Sequence, residues 1–561
     1  MTKTLAGTGS VDQPQKRAEL PIRPTHQRFL LRQRHFTHQY AAMYSARLQA
    51  LEERAFQAIR AKVLDATGDG SLPPHTRVLE LVPHQRAICT GIIYKQSRLL
   101  PRFLDEYQKE LVRIDAGGEE DGEAMVEGPL CPDPFIVRES AVNLTFANGS
   151  DGDLRSQQCF PNICAPDDEL YMEDDSGRVR LENIPADMMC TGVVLGVDGT
   201  LLESGRLSVH RYALGDLRKV YVPRLIPNVP PRTPRYIAFV CGLELGSPQM
   251  QNSASTACAR TMVELLVDYL SGAVGDSAMV AQASCITRLV IGGNSIAPTE
   301  ELRLKKKVKL DPSDHVKFGD DKGGGGAVTS AQLMRELDKV LKRIVCSVEV
   351  ELMPGDNDMT NAFHPQQPMH PLLLSESARC SSMRLVTNPY EFVALSSDES
   401  GVDASDGTNT TSKGETLFFV SSGSNIHCVS RETNINSRLD AMSFVLRSGC
   451  ACPTAPNTLF SYPFKDVDPF VFPQAPHCFV CCDQPEWQTR WEPLESFSPT
   501  YDANTNEIHV NEEGGETGKD ETAAGVRLVC VPPFVQTGIL VLVDVNSPKL
   551  DTTTVSFMPK L

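Results

Sequence analysis

The chain has 561 residues, 41% hydrophobic and 22% charged, with a formal net charge of −17. Three segments, 115–160, 395–415 and 511–524, carry −16 of that charge. The remaining body is nearly neutral, which makes it a poor electrostatic match for DNA, whose phosphates are held by clustered Lys and Arg. The composition is that of a soluble globular protein with room for roughly two to four domains at about 150 residues each. The three acidic segments are rich in Gly, Ser and Asp and are expected to be disordered loops. Two stretches run the other way: the first 60 residues hold ten Lys/Arg against four acids, and RLKKKVK spans Arg303 to Lys309. The second reads as a solvated loop, with nuclear import or phosphate contact as the alternative. No apolar run approaches the roughly 20 residues of a membrane span, and MTKTLAGTGS lacks the apolar core of a signal peptide, so an intracellular chain is expected. Seventeen cysteines in so long a chain suit small buried hydrophobes in a reducing compartment. Cys478 and Cys481 have a CxxC spacing, but on a strand a separation of three puts them on opposite faces, which argues against zinc.

In chain order, residues 1–35 read as a disordered N-terminal tail. From Thr37 to Val63, Tyr40, Met43, Tyr44, Leu48 and Leu51 recur at three and four, an amphipathic helix. HQRAICTGIIYKQ (84–96) is β-branched and predicts a strand, and SRLLPRFLDEYQKELVRI a second helix with Pro101 early. Short strands follow in ELYMEDDSGRVRLENI, MMCTGVVLGVDGTLLESG and RLSVHRYAL. With a helix they make a small barrel of OB type. These elements define an expected unit at 36–223. VPRLIPNVPPRTPR holds five prolines, so 224–235 is expected to be a stiff linker. Beyond it, RYIAFVCG, a helix near 255–272, CITRLVIGG, a helix at 330–344 and CSVEVELMPG alternate as in an α/β sheet, with ligand-facing loops at the strand carboxyl ends. SMRLVTNPYEFVAL, GETLFFVSSG, HCFVCC, VRLVCVPP and GILVLVDV predict a second sheet packed on the first, within a unit at 236–561 interrupted near 395–415 and 500–525. The aromatic string SYPFKDVDPFVFP (461–473) is either core filling or a partner anchor.

Four strand-end loops in this second unit resemble the calcineurin-like metallophosphoesterase series D-x-H, G-D-x-x-D, G-N-H-D and G-H-x-H. That chemistry needs a bridging carboxylate and imidazoles to hold two metal ions about 3.5 to 4 Å apart. Here CGLELG puts Gly242 and Glu244 at the Asp and His positions of the first loop, and VIGGNSIAP puts Asn294 at the bridging Asp and Ala297 at the second Asp. PGDNDM has Asp356 and Asn357 where the Asn and catalytic His would stand, with Asp358 in register. In CCDQP, Cys482, Asp483, Gln484 and Pro485 replace the last motif. The four loops lack every expected imidazole and the bridging anion, so two dications would repel each other at close range. The expectation is a vestigial pocket of Gly242, Glu244, Asn294, Asp356, Asn357, Asp358 and Asp483, with no catalytic residue, no metal and no cofactor. One Mg²⁺ on the remaining carboxylates is the alternative.

Longer strings, among them QYAAMYSARLQAL, APDDELYMEDDSGRVRLENI, VELMPGDNDMTNAFHPQQPMHP, LVTNPYEF, CPTAPNTLFSYPF and DPFVFPQAPHCFVC, resemble the small (B) subunits of eukaryotic DNA polymerase delta. The likeness runs with gaps over most of residues 36–545; the acidic insertions fall outside it. It implies an α+β and α/β protein, an OB-type β-barrel joined to a two-sheet calcineurin-like phosphoesterase fold without its metal ligands. It further implies a nuclear, non-catalytic scaffold in DNA replication and repair. The implied partners are the cysteine-rich C-terminal domain of the catalytic subunit and a third polymerase subunit that reaches the sliding clamp. DNA would be met only weakly or within the complex, and the same small protein serves a translesion polymerase assembly in this resemblance. The alternatives are a metal-dependent phosphodiesterase or nuclease with degenerate ligands, and an OB-type module binding single-stranded nucleic acid, which would need a basic groove with stacking aromatics.

Overall fold

The computed structural model of the protein describes residues 17–32, 35–67, 72–99, 162–215, 217–224, 233–246, 254–298, 329–396, 414–494, 500–501, 508–509 and 524–558. Most of the expected second helix, the acidic insertions, the basic RLKKKVK stretch and the middle of the proline-rich linker lie outside the described residues. Strand β1 (Ile22–Pro24) precedes helix α1 (Ala41–Thr67). A closed barrel follows, built from β2 (Arg86–Gln96), β3 (Glu169–Glu173), β4 (Arg178–Glu182), β5 (Val194–Leu201) and β6 (Arg206–Ala213) in the order β2-β3-β4-β6-β5. Period-two burial in β3 and β4 turns Leu170, Met172, Val179 and Leu181 inward, as alternation requires of a strand wet on one face. On the other side α1 lies against β2, β5 and β6, where Gly196 permits contact: a Cβ there would sit 2.5 Å from the Ala55 carbonyl oxygen.

The rest of the described chain forms two six-stranded sheets. One has the order β10-β9-β8-β7-β18-β19, from β7 (Tyr236–Val240), β8 (Ile286–Gly292), β9 (Glu349–Met353), β10 (Met383–Leu385), β18 (Ile539–Asp544) and β19 (Thr552–Ser556). Its strands β7 to β10 are parallel. The other has the order β1-β11-β12-β13-β17-β14, from β11 (Tyr390–Ser396), β12 (Gly414–Ser421), β13 (Cys478–Cys481), β14 (Gln488–Pro493) and β17 (Gly525–Cys530). β15 (Thr500–Tyr501) and β16 (Ile508–His509) form a two-residue pair.

The sheets face one another across Phe239, Val290 and Met353 on one side and Phe392, Phe418, Cys478 and Val480 on the other. Helices α2 (Ala254–Ser271) and α4 (Ser330–Ile344) bury the outer face of the first sheet, and the eight-residue α3 (Ser277–Ser284) leads into β8. α4 carries a capping box between Thr329 and Gln332 and turns Leu333, Leu337, Leu341 and Ile344 inward. The outer face of the second sheet takes α5 (Ser424–Glu432) and α6 (Arg438–Ser448), and α7 (Phe534–Thr537) is one turn after β17. Phe419, Phe472 and Phe479 on this face share a single apolar core with Leu48 and Leu51 of α1 and with Val194 and Leu207 of the barrel. Barrel and sheets are therefore one packed body on that side.

Several expectations need correction. Residues 22–29 were expected within a disordered tail, yet Ile22–Pro24 pairs antiparallel with Phe392–Ala394, and Phe29 is fully buried. Arg17 donates to the carbonyls of Ala283 (2.8 Å), Ile286 (2.7 Å) and Leu270, and burial there outweighs local polarity. The ends of the proline-rich stretch are also tied down: Arg224 donates to the Val545 carbonyl at 2.7 Å, and Arg235 N to Asp544 Oδ1 at 3.1 Å. The described ends of the expected insertions belong to strands, Ser396 to β11 and Gly414 to β12. Cys478 faces the inter-sheet core and Cys481 the opposite one. Phe470 and Phe472 are core residues, while Phe460 is 56% exposed.

Candidate functional site

Four loops converge at the carboxyl ends of β7, β8, β9 and β13, where a parallel sheet presents its loops for ligands. Gly242 N donates to the Gly293 carbonyl at 2.9 Å and Glu244 N to the Asn294 carbonyl at 3.1 Å, stitching the β7 loop to the β8 loop. A Cβ on Gly293 would lie 2.8 Å from Gly355 Cα, so glycine at that position lets the β8 and β9 loops touch. Asp483 N donates to Cys241 Sγ at 3.1 Å and brings in the β13 loop.

The backbone is strained at this junction. Among the described residues, six non-glycine residues have positive φ, and three of them, Glu244 (φ 40), Asn294 (φ 53) and Asp483 (φ 54), are here. Asn and Asp tolerate this region through local side-chain hydrogen bonds, whereas a half-buried Glu gains less. Such clustering is characteristic of binding and catalytic loops.

The side chains, however, are engaged with one another. Asp358, 5% exposed, accepts from Ser295 N (2.9 Å) and Ile296 N (3.4 Å) through Oδ1 and from Gly355 N (2.8 Å) through Oδ2. It is a clasp between two loops. Burial pushes its carboxyl up to about 6 against those backbone donors. Asn294 accepts from Asn357 N through Oδ1 at 3.2 Å and donates through Nδ2 to Asp483 Oδ2 at 3.2 Å. Both oxygens of the exposed Asp356 lie 3.1 Å from Ser424 Oγ at the start of α5.

All seven residues singled out from the sequence thus fall on these loops, and Asn294, Asn357, Asp358 and Asp483 are joined by direct contacts or through their backbones. Gly242 and Glu244 take part through the main-chain bonds given above. No group of three or more His, Cys, Asp or Glu among the described residues is arranged to hold a metal ion.

A model of the family of DNA polymerase alpha/epsilon B subunits matches residues 237–489, and a model of the DNA polymerase delta subunit OB-fold domain matches residues 39–212. The DNA polymerase delta small subunit of rice is 27% identical over 485 residues, 86% of each chain, and that of Arabidopsis thaliana 27% over 527 residues, 93% of this chain and 92% of the relative. The Saccharomyces cerevisiae protein of the same name is 27% identical over 546 residues, 93% of this chain and 90% of its own. Along most of its length the chain is thus similar to DNA polymerase small subunits. All of its closed barrel but the last residue, Ala213, falls inside the OB-fold match, and all four loops fall inside the alpha/epsilon match.

Within this small-subunit framework the loops are not without imidazoles, which reasoning confined to the four motifs missed. His427 on α5 places Nε2 2.8 Å from the Asp483 carbonyl oxygen. Burial lowers its pKa, with Asp483 and Asp356 opposing. His364 is 4% exposed and likewise lowered by burial, with the charge of Asp356 opposing. Both are neutral near pH 7, and neither stands where a linear motif would put it. The signal for His427 was SSGSN after an apolar strand: Gly423 (φ 105) opens α5 directly at the site.

Proposed function

We propose that the protein is a non-catalytic accessory and scaffold subunit of DNA polymerase delta, acting in replication and repair in the nucleus. It would bridge the cysteine-rich C-terminal domain of the catalytic subunit and a third subunit that connects to the sliding clamp. The two family matches and the names of the relatives support membership in a replicative polymerase. The observation that carries the non-catalytic half of the reading is the hydrogen bond from the Asn294 amide to Asp483. An aspartate at 294 would set a second carboxylate against Asp483 and call for a cation between them; the amide meets the same need as a neutral donor. With Asp358 spent on backbone N–H groups, the seven residues are best explained as a vestigial phosphoesterase pocket that holds loops rather than ions, and the protein as one that needs no cofactor. The unit organisation we favour is 36–223 and 236–561, joined through 224–235, with Ile22–Pro24 completing the edge of a sheet in the second unit.

A nucleic-acid module is the weaker alternative. The barrel arginines face carboxylates: Arg180 pairs with Glu169 (3.0 Å), Arg206 with Glu182 (2.7 Å), Arg178 with Glu173, and Arg86 (2.7 Å) and Arg211 (3.3 Å) with Asp198. Little net positive potential is left for a phosphate backbone. The test is purification of the tagged full-length chain at moderate salt, with mass analysis of what accompanies it, alongside Mn²⁺ titration and a phosphodiester hydrolysis assay. A polymerase catalytic subunit should co-purify and no hydrolysis should appear. Hydrolysis abolished by Asp356→Asn or Asp483→Asn would overturn the proposal.

A further inference from the structure

Where the barrel meets α5 there is a buried lysine with an unusual neighbour. Lys95, near the end of β2, is 4% exposed. Its Nζ donates to the Glu432 carbonyl at 2.7 Å, lies 3.2 Å from Asp168 Oδ2, and lies 3.2 Å from Cys164 Sγ. Four features point to chemistry between the amine and the thiol.

Both partners are held from both sides. Asn162 Oδ1 accepts from Cys164 N at 2.7 Å, and Ile163 N donates to the Arg431 carbonyl at 2.8 Å, so the thiol is carried on a segment pinned to α5. Cys164 is half-buried while the amine is not exposed, so a small oxidant can reach the sulfur and the amine is the group beside it. A small cavity of ≈ 10 Å³, room for about one water, is lined by Lys95, Ser97, Ile163, Thr191, Glu432 and Asn457 and adjoins the amine. The remaining oxygen of the buried Asp168, Oδ1, has no hydrogen-bond partner, so the polar groups around the amine are not saturated.

We propose that Lys95 and Cys164 form a reversible oxidative cross-link with one oxygen atom inserted between them, S–O–N, when the protein meets hydrogen peroxide. One peroxide oxidises the thiol to a sulfenic acid: an S–O bond forms, the O–O bond breaks and water leaves. A second peroxide oxidises the pair; the sulfenic oxygen bonds to the lysine nitrogen, which gives up its protons, and the peroxide oxygens leave as water. Overall, Cys–SH, Lys–NH3⁺ and two H2O2 give Cys–S–O–NH–Lys, three H2O and one H⁺. An inserted oxygen suits a gap of 3.2 Å; a direct S–N bond would require two pinned groups to close much further. The titratable groups facing the pair are Asp168, from the segment before β3, Asp187, from the chain between β4 and β5, and Glu432, from α5. Burial raises the Cys164 thiol and the Lys95 charge opposes this, so the reaction follows peroxide dose rather than a standing thiolate. The link would close a span of 69 residues in the chain and stiffen the junction of barrel and α5.

The experiment treats the full-length chain with graded peroxide, quenches with a thiol-alkylating agent, and sequences the proteolytic peptides by mass spectrometry. The expected product is the Lys95 peptide joined to the Cys164 peptide, heavier than their sum by one oxygen less two hydrogens. It should be cleaved by dithiothreitol and accompanied by a higher Tm. Cys164→Ser keeps an acceptor for Lys95, so it should fold with an unchanged Tm, form no joined peptide and show no peroxide-dependent Tm rise. Recovery of Cys164 as free thiol or sulfinic acid with Lys95 unmodified would overturn the proposal. So would a joined peptide lighter by two hydrogens, the mark of a direct S–N bond.

Discussion

Asp358 and Glu432 are carboxyls used for structure at opposite ends of one loop-and-helix system. Replacing Asp358 by Ala orphans the N–H groups of Gly355 and Ser295 and should cost about 1–3 kcal/mol in urea unfolding. Mn²⁺ should leave the wild-type value unchanged; a metal-dependent gain that Asp358→Ala removes would show that ligation rather than a clasp holds the loops. Glu432, 4% exposed, accepts from Thr458 Oγ1 and, at 3.4 Å, from Thr191 N, and burial pushes its carboxyl up to about 7. The native state keeps a proton that the unfolded chain loses near the ordinary carboxyl pKa. Stability from this group is therefore greatest below that value and falls as pH rises toward about 7, by about 3 kcal/mol in all. Glu432→Gln should flatten that part of the stability profile, read as urea midpoints at about pH 5 and about pH 8; an unchanged slope would exclude Glu432 as its source.

Helix α1 shows how one polar residue joins elements. Arg47 is wholly buried; its Nε lies 2.6 Å from Asp468 Oδ2, and its other nitrogens donate to the carbonyls of Gly192 (3.1 Å), Pro453 (2.7 Å) and Ala455 (2.7 Å). The helix is thereby fixed to the barrel and to the chain that follows α6. Arg47→Met would leave Asp468 buried without a counter-charge, and a loss of about 3–5 kcal/mol is expected. The double variant Arg47→Met/Asp468→Leu should recover part of it; strictly additive losses in that cycle would mean the pair is not coupled. Periodicity located α1 but not this role, because an Arg among apolar positions reads as the edge of the stripe. Helix α6 went unread for the opposite reason: Ala441 through Leu446 are all buried, so no polar face marks it.

For the molecule as a whole, the shared core predicts cooperativity across the two units. Trp487 and Trp491, the only tryptophans, flank or occupy β14 at the edge of one sheet. Their fluorescence and the exchange protection of amides in β2 and β5 should be lost at the same urea midpoint, since α1 packs on the barrel while sharing a core with Phe419 and Phe479. Two separate midpoints would show that this core does not couple the units.

Alternation and helical spacing sufficed to place α1, the barrel strands and α4, because those elements have one dry and one wet face. The seven residues at the strand ends were singled out by the order of four loops that resembles the phosphoesterase motif series, and that order shows only in their sequence. What only the tertiary structure decided is the partnership between distant segments: Ile22–Pro24 completing a sheet edge, His427 and His364 arriving from outside the motifs, and Lys95 meeting Cys164. Local pattern reports how each residue is divided between water and core. It carries no distance between residues far apart in the chain, and those distances determine which polar groups must satisfy one another once water is gone.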